Sequence, residues 1–440
     1  MSDVEVSPGD TPGTANPRRG FRQAVEALRH RNFALFWVGA LLSNTGSWMQ
    51  NLAVPYVVYQ LTDSAVLLSV TTSFQFAPVF LMGPIGGSLA DRFDRRTLLL
   101  ASQAGQSMVA GLLWWAWVTD HRELGLIVGL VIVSSVINGL NIPAWQAFVS
   151  ELVPRSALLN AVTLNSAQFN ASRAFGPAVG GFVLTRYGAG TAFGINAVSY
   201  VAVIVALVLI RLPVRPPRAP RAGVSVWRAF VDSLHYSRAR RGIMACFIVV
   251  TALGGLGSPF VQLMPPFAAD VFMVDDTGYG WLAAGLGIGS ILVAPVLAGR
   301  GSMVPRSVMV EVGMVAYGAS MLIFAVTSIY AVGLVGLLIG GAGYLALAST
   351  LNTTIQLQVD ETMRGKVLAV YVMLLTLALP VGLLVQAAVL QIVGLQVGVF
   401  IFGAAFVAVY AWMRLRTDYF ARLDDEREER DELPTQPANA

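Results

Sequence analysis

Residues 64–96 read SAVLLSVTTSFQFAPVFLMGPIGGSLADRFDRR: 27 residues without a charge, 64–90, followed by five charges in the six positions 91–96. At about 1.5 Å per residue such a helix crosses the roughly 30 Å hydrocarbon core of a bilayer, and the charges mark where it leaves. The pattern recurs along the chain. Residues 32–62, 97–119, 124–150, 187–210, 242–269 and 277–299 contain no Lys, Arg, Asp or Glu, and residues 156–185 contain only Arg173. The uncharged runs 312–359 and 367–413 are each too long for one crossing and read as helical hairpins. Seven single spans, the Arg173 span and two pairs predict twelve transmembrane helices and an all-α integral membrane protein.

Composition agrees. Of 440 residues 55% are hydrophobic and 12% charged, against about 25% charged in soluble domains, which excludes a water-soluble enzyme. The single Cys246 excludes a disulfide framework, and His30, His121 and His235 make no metal-ligand spacing. No metal, cofactor or catalytic constellation is expected. The net charge of +4 does not point to nucleic acid, because the basic residues flank apolar runs and form no stripe with interleaved aromatics.

An even number of spans puts both ends on one side. Sixteen Lys and Arg residues between spans, from Arg92 to Lys366, fall on that side, against Arg122 and Arg186 on the other, which predicts cytoplasmic termini. The longest interior break, 211–241, holds Pro213, Pro216, Pro217 and Pro220 among eight arginines and divides the spans six and six. The expected organisation is a cytoplasmic tail 1–31, a six-helix bundle 32–212, a linker 213–241 with an amphipathic helix around Trp227 to Tyr236, a second bundle 242–416, and a largely disordered tail 417–440. Glu151-Leu152-Val153-Pro154-Arg155 after the fourth span is weakly echoed by Gln358-Val359-Asp360-Glu361 after the tenth. Two pseudo-symmetric six-helix bundles related by an axis along the membrane normal are the layout of the major facilitator superfamily of secondary transporters. Twelve helices suffice for transport by a monomer.

Within this frame Gly87-Ser88-Leu89-Ala90-Asp91-Arg92-Phe93-Asp94-Arg95-Arg96 resembles the superfamily's loop motif G-x-L-A-D-R-x-G-R-R. In that reading Gly87 admits a close helix and Asp91 meets a helix N-terminus and guanidinium groups, forming a releasable lock. An ordinary positive-inside loop accounts for Arg92, Arg95 and Arg96, but not for Asp91 or the glycine four residues before it. Asp94 replaces the motif's second glycine. In the fifth span Gly176-Pro177-Ala178-Val179-Gly180-Gly181 resembles the exporter and antiporter helix motif, whose glycines give a smooth face and whose proline permits a bend. The alternative is generic small-residue packing.

Arg173 is the one basic charge inside a span. Burial at mid-bilayer costs about 3 kcal/mol or more, so it faces the bundle interior or a wet cavity, to meet an anionic or polar substrate group, a coupling carboxylate, or helix carbonyls. Polar residues recur at helical spacing: Asn44, Ser47, Trp48 and Asn51; Asn138, Asn141 and Trp145; Asn165, Gln168 and Ser172; and, in the second half, Gln262, Ser349, Asn352 and Gln356. Each group shares a face that must point inward. Taken singly they serve as well for interhelical hydrogen bonding; the set suggests one cavity lined with amides and aromatic rings. For proton coupling the candidates are Asp91 and Glu311, the latter about one turn inside the ninth span and readable equally as a packing residue. No G-x-x-x-x-G-K-S/T motif for ATP is present.

Residues 28–65, from Leu28-Arg29-His30-Arg31-Asn32 through Asn44-Thr45-Gly46-Ser47-Trp48 to Leu61-Thr62-Asp63-Ser64-Ala65, resemble the start of the enterobactin-exporter-like, transmembrane secretion effector branch, which also shows a D-R-F-D-R-R loop. The similarity covers about residues 28–415. It implies an inner-membrane exporter of siderophores, macrolides or other amphiphilic small molecules in exchange for protons. Ser47 stands where many relatives carry an acid, and the R-x-x-Q-G pattern of many drug/proton antiporters is missing from the fourth span. A lipid or lysophospholipid flippase and a non-transporting scaffold are the alternatives.

Overall fold

The computed structural model describes residues 26–211, 226–416 and 418–425. Twelve long helices cross between two faces. In the first half they are α1 (Arg31–Thr62), α2 (Ala65–Arg92), α3 (Arg95–Val118), α4 (Leu124–Val149), α5 (158–187) and α6 (189–209). A linker helix α7 (Val226–Arg238) leads to α8 (Arg241–Val271), α9 (Asp276–Arg300), α10 (Arg306–Val326), α11 (Tyr330–Gln358), α12 (Glu361–Val393) and α13 (Leu395–Arg416). Among the described residues nine helical segments are long and apolar enough to cross a membrane; one of them runs through both α5 and α6. The other two crossings, α1 and α3, carry more polar side chains, such as Asn44, Asn51, Gln103 and Gln106, which they spend on neighbouring helices.

The two halves repeat one design, and the backbone shows it. Gly188, between α5 and α6, has φ 80° and ψ 170°; Gly394, between α12 and α13, has φ 81° and ψ 175°. This region is essentially open only to glycine, so the same tight reversal is built at the same place in each half. Asp63 after α1 and Met273 after α8 also share positive φ, 48° and 51°. In each half the second helix lies directly on the fourth through glycines. A Cβ at Gly86 would sit 2.7 Å from the carbonyl oxygen of Leu140, and one at Gly139 would sit 2.9 Å from that of Val79. Gly289 and Gly341 give α9 and α11 the same backbone-to-backbone approach.

Two expectations change. The seventh span is not one regular helix: α8 widens into π-type turns at Leu253–Gly257 and Phe267–Val271 and breaks at Gln262 and Leu263. Pro259, Pro265 and Pro266 supply no N–H to the ladder there. Residues 418–425 of the tail fold against the bundle: Phe420 and Leu423 are buried, and the Gln358 amide donates to the carbonyls of Arg422, Leu423 and Asp425. The amphipathic linker helix forms as expected and packs on α8 and α12, tied by Tyr236 donating to Asp360 at 2.8 Å and by Lys366 to Asp232 at 3.7 Å. The rest of the expected tails, and linker residues 212–225, lie outside the described residues.

Several hydrogen bonds and a ring stack join the two halves toward the face opposite the arginine-rich loops. Tyr59 donates to Asp270 at 2.5 Å, Tyr56 stacks on Tyr279 at 4.8 Å, and Tyr279 donates to the Leu52 carbonyl at 3.2 Å. Thr185 reaches the Asp276 carbonyl at 3.2 Å and Ser73 that of Pro380 at 3.1 Å. At the seam of α5 and α9, a methyl on Gly181 would run into the Gly280 carbonyl oxygen. These contacts hold the two halves together on that face. Gly181→Leu should part this seam. With Cys246 buried and giving little background, a Leu52→Cys reporter should be labelled several-fold faster by a membrane-impermeant maleimide in Gly181→Leu than in the parent; equal rates would show that the seam is not the seal.

Candidate functional site: a polar, arginine-centred space between two helical halves

The loop between α2 and α3 is held by its own side chains. Asp94 is the N-cap of α3, accepting from the Thr97 amide and hydroxyl, both at 2.8 Å, with φ −60° and ψ 121°. Nothing in this conformation needs a glycine, which is why the motif tolerates Asp here. Arg95 pairs with Glu151 at the end of α4 at 2.6 Å, the side chains 15% and 22% exposed. Arg96 donates to the Val208 carbonyl at 3.0 Å, closing the C-terminus of α6. Asp91 and Arg92 are exposed, and among the described residues Asp91 has no hydrogen bond or ion pair. The expected close approach at Gly87 is not found: a Cβ there would meet open space, and the contact belongs to Gly86. One residue of helix is about 100° of rotation, enough to turn one glycine to α4 and its neighbour away.

The second motif does provide the smooth face expected of it. Side chains at Gly176 and Gly180 would strike Trp48 and Met49 of α1, while Gly181 faces α9. The glycines thus let α5 touch α1 within its own half and α9 across the interface. Pro177 lies inside α5 and offers no N–H to the carbonyl of Arg173 one turn earlier.

Within the first half, Asn44 donates to Gln168 at 3.3 Å, Gln168 to Ser172 at 3.2 Å, and Thr45 to the same serine at 3.3 Å. Trp145 donates to Asn165 at 3.3 Å, and Gln75, which the sequence reading did not single out, donates to Asn51 at 2.7 Å. These pairs stitch α1, α2, α4 and α5 and leave part of each amide for another partner. Asn141 is a correction. It is buried, and Gln103 of α3 reaches it at 3.5 Å, so it joins α3 to α4 and does not line the space between halves. Asn138 is exposed on α4, and the offset that separates Gly188 from Gly394 also separates Asn138 from Tyr344 on α11. Asn352 bonds Gln356, and Ser349 and Gln356 are exposed along the arginine-side half of α11. Gln262 lies in the break of α8.

At the centre stands Arg173, midway along α5. Its guanidinium carbon lies 5.3 Å from the ring centre of Trp48 and 5.0 Å from that of Tyr344 on the other half. Tyr344 was missed in the sequence, where it stands midway along the glycine-rich tenth span. Glu311 lies elsewhere: Arg414 and Tyr410 of α13 approach it, each at 3.5 Å, which holds α10 to α13. Among the described residues no group of three His, Cys, Asp or Glu could hold a metal ion.

Two six-helix halves, with one mid-helix arginine flanked by an aromatic ring from each, define a membrane transporter of the major facilitator type. The chain belongs to the transmembrane secretion effector family, whose model matches residues 23–438. It is 25% identical over 379 residues to the multidrug efflux pump Tap of Mycolicibacterium fortuitum, covering 82% of this chain and 90% of that protein. It is 24% identical over 268 residues to the staphyloferrin A transporter of Staphylococcus aureus. That match covers 60% of this chain and 66% of the staphyloferrin transporter, just under two thirds of its length. The fold is shared with an inward-facing bacterial homologue of the lysosomal transporter Spinster, at TM-score 0.63 and 13% identity over 89% of this chain and 97% of that one.

The Asp94 cap gives a direct check. Asp94→Ala should lower the stability of the purified protein by about 1 kcal/mol, whereas Asp94→Gly should cost only a few tenths. Thermal unfolding in one detergent, compared across the three proteins, measures the order; an equal loss for both would assign the effect to charge and not to the cap.

Proposed function

We propose that this protein is a secondary active exporter of a small amphiphilic molecule, of the siderophore, macrolide or drug-like kind, working by alternating access with protons as the exchanged ion. The observation that carries the reading is the asymmetry of the contacts between halves. The face bearing Asp270 and Asp276 is latched by Tyr59 and by the α5–α9 seam, while amide-bearing residues of α4, α5 and α11 lie between the halves toward the other face. The arginine excess on that second face makes it cytoplasmic, with both termini there and the protein in the bacterial inner membrane. The space thus loads from the cytoplasm. The efflux role printed for Tap and the siderophore named for the staphyloferrin transporter support the cargo class.

In this reading Asp91 belongs to the lock that closes the cytoplasmic face in the other half of the cycle, with Arg92, Arg95 and Arg96 around it. Its exposure here is the released state. As the carboxylate of this loop open to water it is also a candidate for the coupling proton. Glu311, engaged by Arg414 and Tyr410, is better suited to anchoring α13. No bound cofactor and no second copy of the chain enters the scheme.

The test compares intracellular and secreted small molecules in the host with and without the protein, and with Asp91→Asn beside them. Export predicts that at least one amphiphile accumulates inside the deletion strain, that the variant accumulates it to a similar degree at normal expression, and that a protonophore reproduces the effect in the parent. Unchanged pools with altered lipid asymmetry would replace the exporter by a flippase, and a fully functional Asp91→Asn would remove the lock.

A further inference from the structure

The guanidinium of Arg173 is positioned but not paired. Among the described residues it takes part in no ion pair, and the contacts the structure gives it are the faces of Trp48 and Tyr344. Aromatic faces balance the charge of a guanidinium without using its N–H donors, five of which lie in one plane. The acids that a buried arginine would ordinarily recruit are committed elsewhere: Asp270 to Tyr59, Glu311 to Arg414 and Tyr410, and Glu151 to Arg95. The uncharged runs leave the neighbouring spans without an acid at this depth. Beside it, the hydroxyl of Tyr344 is buried and has no hydrogen-bond partner. Two polar groups, one from each half, thus meet at the midplane with unused donors, and nothing negative faces them.

We propose that Arg173 is the docking point for one oxyanion, a carboxylate, sulfonate or phosphate group, carried by a substrate whose remaining body is apolar or aromatic. The reading rests on the exporter assignment and narrows its cargo to anions. A planar guanidinium presents paired N–H groups that match two oxygens of one oxyanion. The Tyr344 ring, from the opposite half, flanks the guanidinium without taking any of its donors. Trp48, which packs edge-on with Phe169 at 6.1 Å, offers aromatic surface next to the charge for the body of the ligand. A cationic substrate would meet an uncompensated positive charge here, which excludes it more effectively than any lack of contacts.

The experiment measures binding to the purified protein in phosphatidylcholine nanodiscs, using a pair of probes that differ in one group: 8-anilinonaphthalene-1-sulfonate and the uncharged N-phenyl-1-naphthylamine, with ethidium as the cation. The wild type should bind the sulfonate about tenfold or more tightly than the neutral probe. Arg173→Gln should lose that preference while keeping its affinity for the neutral probe, and Arg173→Lys should retain part of it. An equal loss of both probes in Arg173→Gln, a neutral or cationic probe bound as tightly as the anion, or no binding of any probe by the wild type would overturn the proposal. A second arm adds phosphatidylglycerol to the discs. Displacement of the sulfonate by it would identify a lipid headgroup as the oxyanion source, and no displacement a soluble amphiphile. Energy-dependent efflux of the same probes from cells is scored separately. If anion selectivity holds in binding and no probe is exported, the exporter assignment fails and the anion site stands; export of all three probes alike would leave the exporter and remove the anion site.

Discussion

Two positions without side chains, Gly181 on α5 and Gly280 on α9, allow the halves of this bundle to touch, and the rest of the architecture follows from that contact. The backbones meet so closely that even a methyl group on either has no room. In a bilayer there is little hydrophobic gain from pressing one apolar helix against another, so close approach and hydrogen bonds must hold the seam. The same solution operates within each half, where Gly86 with Gly139 and Gly289 with Gly341 set the second helix on the fourth. With the seam closed on one face, Tyr59, Tyr56 and Tyr279 reach their partners across it. A seam of this kind can part as a unit, because few side chains interdigitate there.

The number of crossings was legible because charge is expensive in lipid, and the chain spends almost none inside its spans. The six-and-six division was legible for the same reason: the arginine- and proline-rich break cannot enter the membrane. Depth and face were harder. The uncharged run 242–269 looks like any other span, yet the three prolines and the glycines of α8 produce π-type turns and a break at Gln262. Hydropathy registers composition and not the hydrogen-bond ladder, so it could not show this. The loop motif likewise pointed to Gly87, and the packing falls on Gly86 because a rotation of one residue decides which glycine faces α4.

Site residues divide along a physical line. Arg173 could be found from sequence because an ionisable residue in a span is costly wherever it points. Its partners could not. Trp48 and Tyr344 reach it from another helix and from the other half, and an aromatic residue in a span carries no signature that separates a cation's neighbour from ordinary packing. The amides show the same limit: Asn44 and Gln168 bond each other between α1 and α5, while Asn141, at an equally suggestive spacing, turns to Gln103. Periodicity says that such residues share a face, and only the packing says which neighbour that face meets.

The energetics of Arg173 join its placement to the moving parts. Holding the charge at mid-bilayer costs about 3 kcal/mol on insertion scales, and each aromatic face returns roughly 0.5 to 2 kcal/mol. Two faces therefore return about 1 to 4 kcal/mol, between a third of that cost and all of it. A carboxylate would have offset it too, but it would also have consumed the donors and neutralised the space. Because one of the two faces, Tyr344, belongs to the opposite half, the arginine's balance depends on how the halves stand. When they separate at this depth, the guanidinium loses one aromatic partner and its need for a counter-charge rises. When a counter-charge is present, that separation becomes less costly. If an oxyanion docks at Arg173 as proposed above, its binding and the relative position of the two halves are coupled through Tyr344.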